Sequence, residues 1–156
     1  MMKKLFWLMS LMFFWSCAPK YFVPLPKKNA SKERIDKAKS FADSFFDKCN
    51  KKDYSEINGF VMDVNTKKFY FSPEKIEIEC KKINDKYGNV FVSEFFDATT
   101  LVRPTDYYDY FIFKTKLEKS DSIKYVSVGF YRDKDIIGGL KLSSNAYPKI
   151  IKRKKK

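Results

Sequence analysis

Apolar side chains recur along this chain with two different periods, and the period changes at Gly88. Before Gly88 they return every three or four residues over 32–51 and over 73–87, which is the spacing of one face of an amphipathic helix. Ser31 suits the N-cap of the first helix, and Ser72 suits that of the second. The predicted apolar faces comprise Ile35, Ala38, Phe41, Ala42, Phe45, Phe46 and Cys49 in the first helix, and Ile76, Cys80, Ile83 and Tyr87 in the second.

Beyond Gly88 the apolar positions alternate with polar ones, a period of two that is typical of strands. Strands are predicted over 89–102, 107–117, 123–132 and 136–142, joined by short connections. Short connections place consecutive strands beside one another in antiparallel order. The apolar helix faces must be buried, so both helices cover one face of this sheet. The sequence therefore predicts an α+β domain, with two N-terminal helices packed on a four-stranded antiparallel meander.

Two segments have no regular period. Residues 54–71 are predicted to contain a short helix and then a buried extended piece at 69–71. Residues 18–30 contain three prolines, which fix φ and cannot donate to a strand ladder, so they predict an extended tether. Within the last strand, Gly138 and Gly139 predict a bulge or a sharp bend.

The first sixteen residues have the layout of an export signal. Lys3 and Lys4 give a positive start, and residues 5–15 form an apolar run interrupted only by Ser10. This run is too short to cross a bilayer, which takes roughly 20 helical residues. It has the length of a signal-peptide core, so we expect the protein to be exported.

The end of this run, Ser16-Cys17, resembles the lipobox of bacterial lipoproteins, with Phe14 and Trp15 in place of the family's usual leucine and small residue. The resemblance implies that Cys17 receives a diacylglyceryl group and becomes the N-terminus after cleavage. The alternative is an ordinary or uncleaved signal peptide with an incidental cysteine. The lipoprotein interpretation gives four segments: the signal peptide 1–16, the lipidated cysteine and Pro-rich tether 17–30, the α+β domain 31–147 and a basic tail 148–156.

The order of elements resembles the cone-shaped nuclear transport factor 2-like fold, and small bacterial lipoprotein domains of unknown function with that shape. The resemblance rests on the end of the first helix at 51–54, the Ser72-Pro73-Glu74 helix start, the Tyr87-Gly88 stop and the closing meander. It covers roughly residues 31–145, and cystatin-like folds use similar parts. It implies a sheet curved around a cone-shaped cavity.

Composition sets limits on the function. There is no histidine, which excludes Ser-His-Asp and Cys-His catalysis and removes the usual ligands of a catalytic zinc site. The five glycines form no phosphate-binding loop. Of the net charge of +13, Lys3, Lys4 and the tail 148–156 hold +8, and the remaining +5 is spread along the chain. We therefore expect no nucleic acid, metal or cofactor, and no catalytic residue is assigned.

Cysteines and carboxylates supply the candidate chemistry. Cys49 and Cys80 lie on the apolar helix faces, where packing as small buried side chains is the default. Export makes a disulfide between them the alternative. An enzyme of the resembled fold would use a carboxylate and a tyrosine inside the cone. The carboxylates near the predicted sheet are Glu94, Asp97, Asp106 and Asp109.

The densest aromatic stretch lies in the second predicted strand. Alternation places Tyr107, Phe111 and Phe113 on one side of this strand, and Tyr108 and Tyr110 on the other. One interpretation is a central strand that is buried on both faces. The other is a partner surface, in which one side stays open and binds another protein or a second copy of the chain.

These patterns predict a lipid-anchored binding or interaction module of the cell envelope. Its partner would be the membrane through the anchor, together with an envelope protein, a small apolar ligand or a second copy. Ala18 rather than Asp follows Cys17, which by resemblance to lipoprotein sorting favours the outer membrane, facing the periplasm. The alternatives are a carboxylate- and tyrosine-dependent enzyme and a purely structural envelope protein.

Overall fold

The structure is a computed structural model that describes residues 21–103, 106–132 and 134–147. Within them the chain forms one antiparallel sheet of five strands in chain order, together with three helices. The predicted α+β class and meander are confirmed, with one strand more than expected. The third helix lies within 54–71, where a short helix was predicted. Cys17 and the basic tail lie outside the described residues. The elements are β1 (Tyr21–Pro24), α1 (Lys32–Lys51), α2 (Val64–Tyr70), α3 (Pro73–Tyr87), β2 (Val90–Val102), β3 (Tyr107–Leu117), β4 (Tyr125–Tyr131) and β5 (Ile136–Ser143).

Helix α1 lies across the middle of the sheet and supplies much of the core. The Ser31 side chain caps it by accepting a hydrogen bond from the Arg34 N–H (3.3 Å). Lys52 ends it with a left-handed backbone conformation (φ 57°). The apolar face from Ala38 to Cys49 is buried against β2, β3 and β4. The bounds of α1 are those that the periodicity predicted.

Helix α3 lies beside α1 and is covalently joined to it. Its start at Pro73 and its end at Gly88 (φ 71°) agree with the sequence prediction. Cys80 of α3 and Cys49 of α1 form a disulfide, with their Cα atoms 4.8 Å apart. The bond spans 31 residues of sequence, and a crosslink of this kind stabilises a fold by about 2–4 kcal/mol. The Asn84 side chain reinforces the joint by donating a hydrogen bond to the Cys49 carbonyl (2.7 Å).

Part of the predicted tether belongs to the fold. Strand β1 pairs with the end of β2, from Tyr21 opposite Val102 to Pro24 opposite Thr99. Leu25, the next residue, is packed into the core with 8% of its surface exposed. Prolines are tolerated in this segment because β1 is an edge strand, where a missing N–H leaves no partner unsatisfied.

The piece at 69–71, which we expected to be extended, instead forms the end of helix α2, with Phe69 and Tyr70 in its last turn and Phe71 as its C-cap. Asp63 caps this helix by accepting a hydrogen bond from the Thr66 N–H (2.9 Å). Three consecutive aromatic residues favour a strand, but the local cap outweighs that preference. As a consequence Phe71 is buried, whereas Phe69 and Tyr70 remain exposed.

The centre of the sheet is buried on both faces. Phe111 and Phe113 of β3 point to the helices and are fully buried. On the other face the ring of Tyr108 lies directly over Gly129 and Gly138, so closely that a Cβ at either glycine would overlap it. The pairing of β4 with β5 passes from Gly129 opposite Gly139 to Phe130 opposite Ile137. Gly138 is therefore the extra residue of a bulge, which agrees with the prediction for the glycine pair.

Candidate functional site

An apolar groove with a volume of about 680 Å³ opens between α2, α3 and the edge strand β5. Phe45 of α1 and Phe71 form its floor, and each is only 4% exposed. The volume falls within the range of roughly 300–1,000 Å³ that is typical of sites for small ligands. The apolar walls are formed by Ile83 and Tyr87 of α3, Leu140 and Leu142 of β5, and Phe69 and Tyr70 of α2.

The leucines of β5 reach the groove because of strand alternation and the position of β5 in the sheet. Leu140 pairs with Val128 and Leu142 with Val126, two valines that are fully buried under the helices. Paired residues share a face, so both leucines lie on the helix side of the sheet. β5 is the edge strand of the described sheet, and the two leucines are therefore half-buried rather than covered.

Two aromatic side chains stand at the mouth of the groove. Phe69 is 56% exposed and Tyr70 is 63% exposed. Both lie at the end of α2, whose one buried residue is Thr66. Adjacent exposed aromatics beside an apolar groove are a feature of interaction sites. The sequence did not predict this site because the aromatic run is typical of a buried strand, although Asp63 is a typical helix cap and signalled a helix.

Charged residues of α3 border the groove. Lys75, Glu79, Lys82 and Lys86 line it, and each comes directly before a residue of the apolar helix face, so this charged stripe follows the edge of that face. Glu79 is paired with Lys82 (2.7 Å). Lys75 and Lys86 make no ion pair with any residue that the structure describes, and the Lys86 Nζ lies 5.1 Å from the Tyr87 ring centroid. The stripe thus carries three positive charges against one negative charge.

The aromatic residues predicted as a partner surface do not form a single exposed surface. Phe111 and Phe113 are covered by the helices. Tyr108 and Tyr110 lie on the opposite face, where Tyr108 is only 6% exposed and Tyr110 is half-buried. Tyr107 is the exposed member of the set, at 45%. The strand therefore corresponds to the interpretation in which both faces are largely buried.

The carboxylate of Asp109 is fully buried and serves as the centre of an ion-pair cluster. Its two oxygens accept hydrogen bonds from Arg132 Nη2 (2.6 Å) and Nε (3.0 Å), from Arg34 Nη1 (2.9 Å) and from the Thr100 hydroxyl (2.9 Å). Burial alone would raise the pKa of Asp109, but the hydrogen bonds from Arg132, Arg34 and Thr100 outweigh it and lower the pKa below its ordinary value. The cluster connects α1 to β2, β3 and the end of β4.

The other three candidate carboxylates each have their own partner, and none of these partners also contacts Asp109. Strand alternation points Tyr108 and Tyr110 away from Asp109, and burial raises the pKa of both tyrosines above its ordinary value. Among the described residues no group of three or more Cys, Asp and Glu is arranged to hold a metal ion. The partner of Glu94 is Lys114 (2.6 Å), that of Asp106 is Arg103 (4.0 Å), and that of Asp97 is the Tyr147 hydroxyl.

Comparison with known proteins gives no relative. No protein-family model matches this sequence, and no curated protein or solved structure is significantly similar to it. None of the described helices combines the length and the hydrophobicity of a membrane span.

Proposed function

We propose that this protein is an exported, lipid-anchored module of the bacterial cell envelope that binds an apolar ligand or partner in the groove between α2, α3 and β5. The lipid on Cys17 holds the domain at the membrane. The proposed membrane is the outer membrane, with the domain facing the periplasm. The observation that carries the proposal is the groove itself, with its buried phenylalanine floor and the exposed aromatic pair at its mouth.

The disulfide supports export. The chain has three cysteines, and Cys49 and Cys80 are paired with each other in the helical layer. Such bonds persist in oxidising compartments and are rare where thiols are kept reduced. This pairing leaves Cys17, at the end of the signal-like segment, as the one cysteine available for a lipid.

The start of the sheet supports a location close to the membrane. Tyr21, the first residue of β1, comes four positions after Cys17. At most about 3.6 Å of extended chain per residue keeps an anchored Cys17 within roughly 14 Å of that strand. As part of the same proposal, the domain is a nuclear transport factor 2-like fold. The supporting features are the meander sheet with α1 packed on it, α3 packed against α1, and a groove beside the last strand.

Lipidation is tested by replacing one atom at the proposed anchor. In a bacterial host that receives labelled fatty acid, the full chain is expected to incorporate the label, and Cys17→Ser is expected to abolish incorporation because the thiol is the acceptor. Cys49→Ser is the control. The sulfur of Cys49 is buried in the disulfide, so this substitution is expected to leave labelling unchanged. Labelling that survives Cys17→Ser would contradict the anchor.

The groove is tested by photocrosslinking in intact cells. A photoreactive phenylalanine analogue at position 69, at the mouth of the groove, is expected to give a defined adduct because the bound partner or ligand lies against it. The same analogue at position 91 is a matched control, since Phe69 and Phe91 are both 56% exposed and Phe91 lies away from the groove. Leu140→Asp is expected to remove the adduct at position 69 by charging the groove wall.

The two positions distinguish binding in the groove from general stickiness. Equal adducts at positions 69 and 91 would show that any exposed aromatic residue crosslinks to neighbouring molecules. Binding in the groove would then be contradicted. An adduct at position 69 that persists with Leu140→Asp in a folded protein would place the contact outside the groove.

A further inference from the structure

We infer that the groove takes a single long acyl chain that ends in an anionic head group, of which a long-chain carboxylate is the simplest example. This inference rests on the proposed function, because it names the ligand class of the same groove. Two independent features of the groove carry it: the apolar lining along its length and the charge of the helix that borders it.

The lining suits an acyl chain. Six apolar side chains form the walls, and two buried phenylalanines form the floor. A polypeptide in the same place would bring N–H and C=O groups that need partners; the apolar side chains provide none, and the outer edge of β5 in the described sheet would be the place for them to pair. An acyl chain has no such groups, and each additional CH₂ that becomes buried tightens binding by about fourfold.

The border suits an anionic head. Lys75 and Lys86 lie on the same stripe of α3 as the Glu79–Lys82 ion pair, and neither is paired with a described carboxylate. The one acidic residue of the lining is already neutralised by its neighbour, so a cationic head would find no free partner there. A ligand with a negative head can place its chain on the apolar face and its charge beside either lysine, because the stripe runs along the edge of that face.

The position of α3 in the fold supports a preformed site. Cys80 of α3 is bonded to Cys49, and Asn84 of α3 is hydrogen-bonded to the Cys49 carbonyl. Both contacts fix the apolar side of α3 against α1, which leaves the neighbouring stripe of lysines at the groove. The ligand therefore meets a wall that does not have to be ordered on binding.

The test compares carboxylates with alcohols of the same chain length by calorimetry, below the concentrations at which they aggregate. The chain from Ala18 onward is used, since it contains every described residue and lacks the signal segment. Binding of the carboxylates is expected to tighten by about fifteenfold for each added pair of CH₂ groups until the groove is filled. The carboxylate is expected to bind more tightly than its matched alcohol.

The lysines are tested with two double variants. Lys75→Gln with Lys86→Gln is expected to weaken carboxylate binding by about tenfold, as the loss of two charge contacts at the surface allows, and to leave alcohol binding unchanged. Lys116→Gln with Lys124→Gln removes the same charge from exposed positions outside the groove, and is expected to change neither. The difference between the double variants separates local contact from net charge.

Each other outcome overturns the inference in a recognisable way. Equal binding of carboxylates and alcohols would show that the groove binds an apolar chain but does not recognise an anionic head group. No binding of either class would remove the acyl ligand, and the crosslink at position 69 would then decide separately whether the groove functions at all. Capture of an acidic protein at position 69, with no carboxylate binding, would replace the lipid with a protein partner.

Discussion

Replacing Asp109 with asparagine is expected to lower the free energy of unfolding by about 3–5 kcal/mol, the usual loss when one partner of a buried ion pair is removed. The side chain of Asp109 has no exposed surface, and it accepts hydrogen bonds from Arg34, Arg132 and Thr100. Asparagine keeps the shape but loses the charge, and its amide N–H groups would face the guanidinium donors. Arg132 and Arg34 would then both lose the buried carboxylate that they share, although Arg34 keeps its longer contact with Asp135 (3.4 Å).

Urea unfolding at neutral pH measures this loss, and Asp106→Asn is the matched control. Asp106 is 32% exposed and lies 4.0 Å from Arg103, so its substitution is expected to change stability by less than about 1 kcal/mol. Similar effects of the two substitutions would show that the Asp109 cluster does not hold the elements together.

The same variant has a signature in acid. The folded state lowers the pKa of Asp109, so this group contributes stability above its ordinary pKa of about 4, and the contribution is lost as the pH falls through the lowered value. Asparagine does not titrate. The gap in stability between the wild type and Asp109→Asn is therefore expected to be largest near neutral pH and to narrow below about pH 4. A gap that stays constant into acid would show that the charge of Asp109 is not the cause.

The long elements could be predicted from the sequence because each carries its own pattern. Helix α1 has five turns of apolar periodicity with a serine cap, and the strands after Gly88 alternate over most of their length. β1 and α2 have only four and seven residues, respectively, which is too few for a period to emerge. Their structure depends on tertiary contacts, such as the pairing of β1 with β2 and the burial of Leu25.

The groove could not be predicted because its parts are distant in sequence. Its mouth comes from 69–70, one wall from α3 and the other from 140–142, and each pattern describes the buried face of its own element rather than the gap between elements. The cysteines show the same limit. Periodicity places Cys49 and Cys80 on apolar faces, but only the crossing of α1 and α3 decides that their Cα atoms approach within bonding distance.

The Asp109 cluster lay outside the sequence prediction for another reason. Alternation correctly places Asp109 on the same face as Phe111 and Phe113, which means a charge among buried phenylalanines. Such a charge requires a partner. The partners, Arg34 and Arg132, lie on two other elements and follow no local spacing rule, so the sequence indicates that a partner is needed without identifying it.

Phe45→Ala is expected to lower the free energy of unfolding by about 3–5 kcal/mol, the usual effect of removing a core aromatic. Phe45 is 4% exposed, and its ring packs edge-on against Phe46 (5.2 Å between centroids) and Phe71 (6.0 Å). Removing the ring leaves a cavity between α1 and the groove floor. A shift of α3 could close this cavity, but the disulfide holds α3 in place. Chemical unfolding of the chain from Ala18 onward measures the loss.

Phe91→Ala separates this effect from the general loss of an aromatic side chain. Phe91 is 56% exposed on β2, so its substitution is expected to lower the free energy of unfolding by less than about 1 kcal/mol. Phe45 is also the groove floor, so its removal deepens the groove while the lysine stripe stays in place. Carboxylate binding is therefore expected to weaken through lost contact with the acyl chain, and the preference for carboxylate over alcohol is expected to remain. A loss of stability below about 1 kcal/mol for Phe45→Ala would mean that the floor is not packed, and the groove would then lack the rigid base on which the choice of an acyl ligand depends.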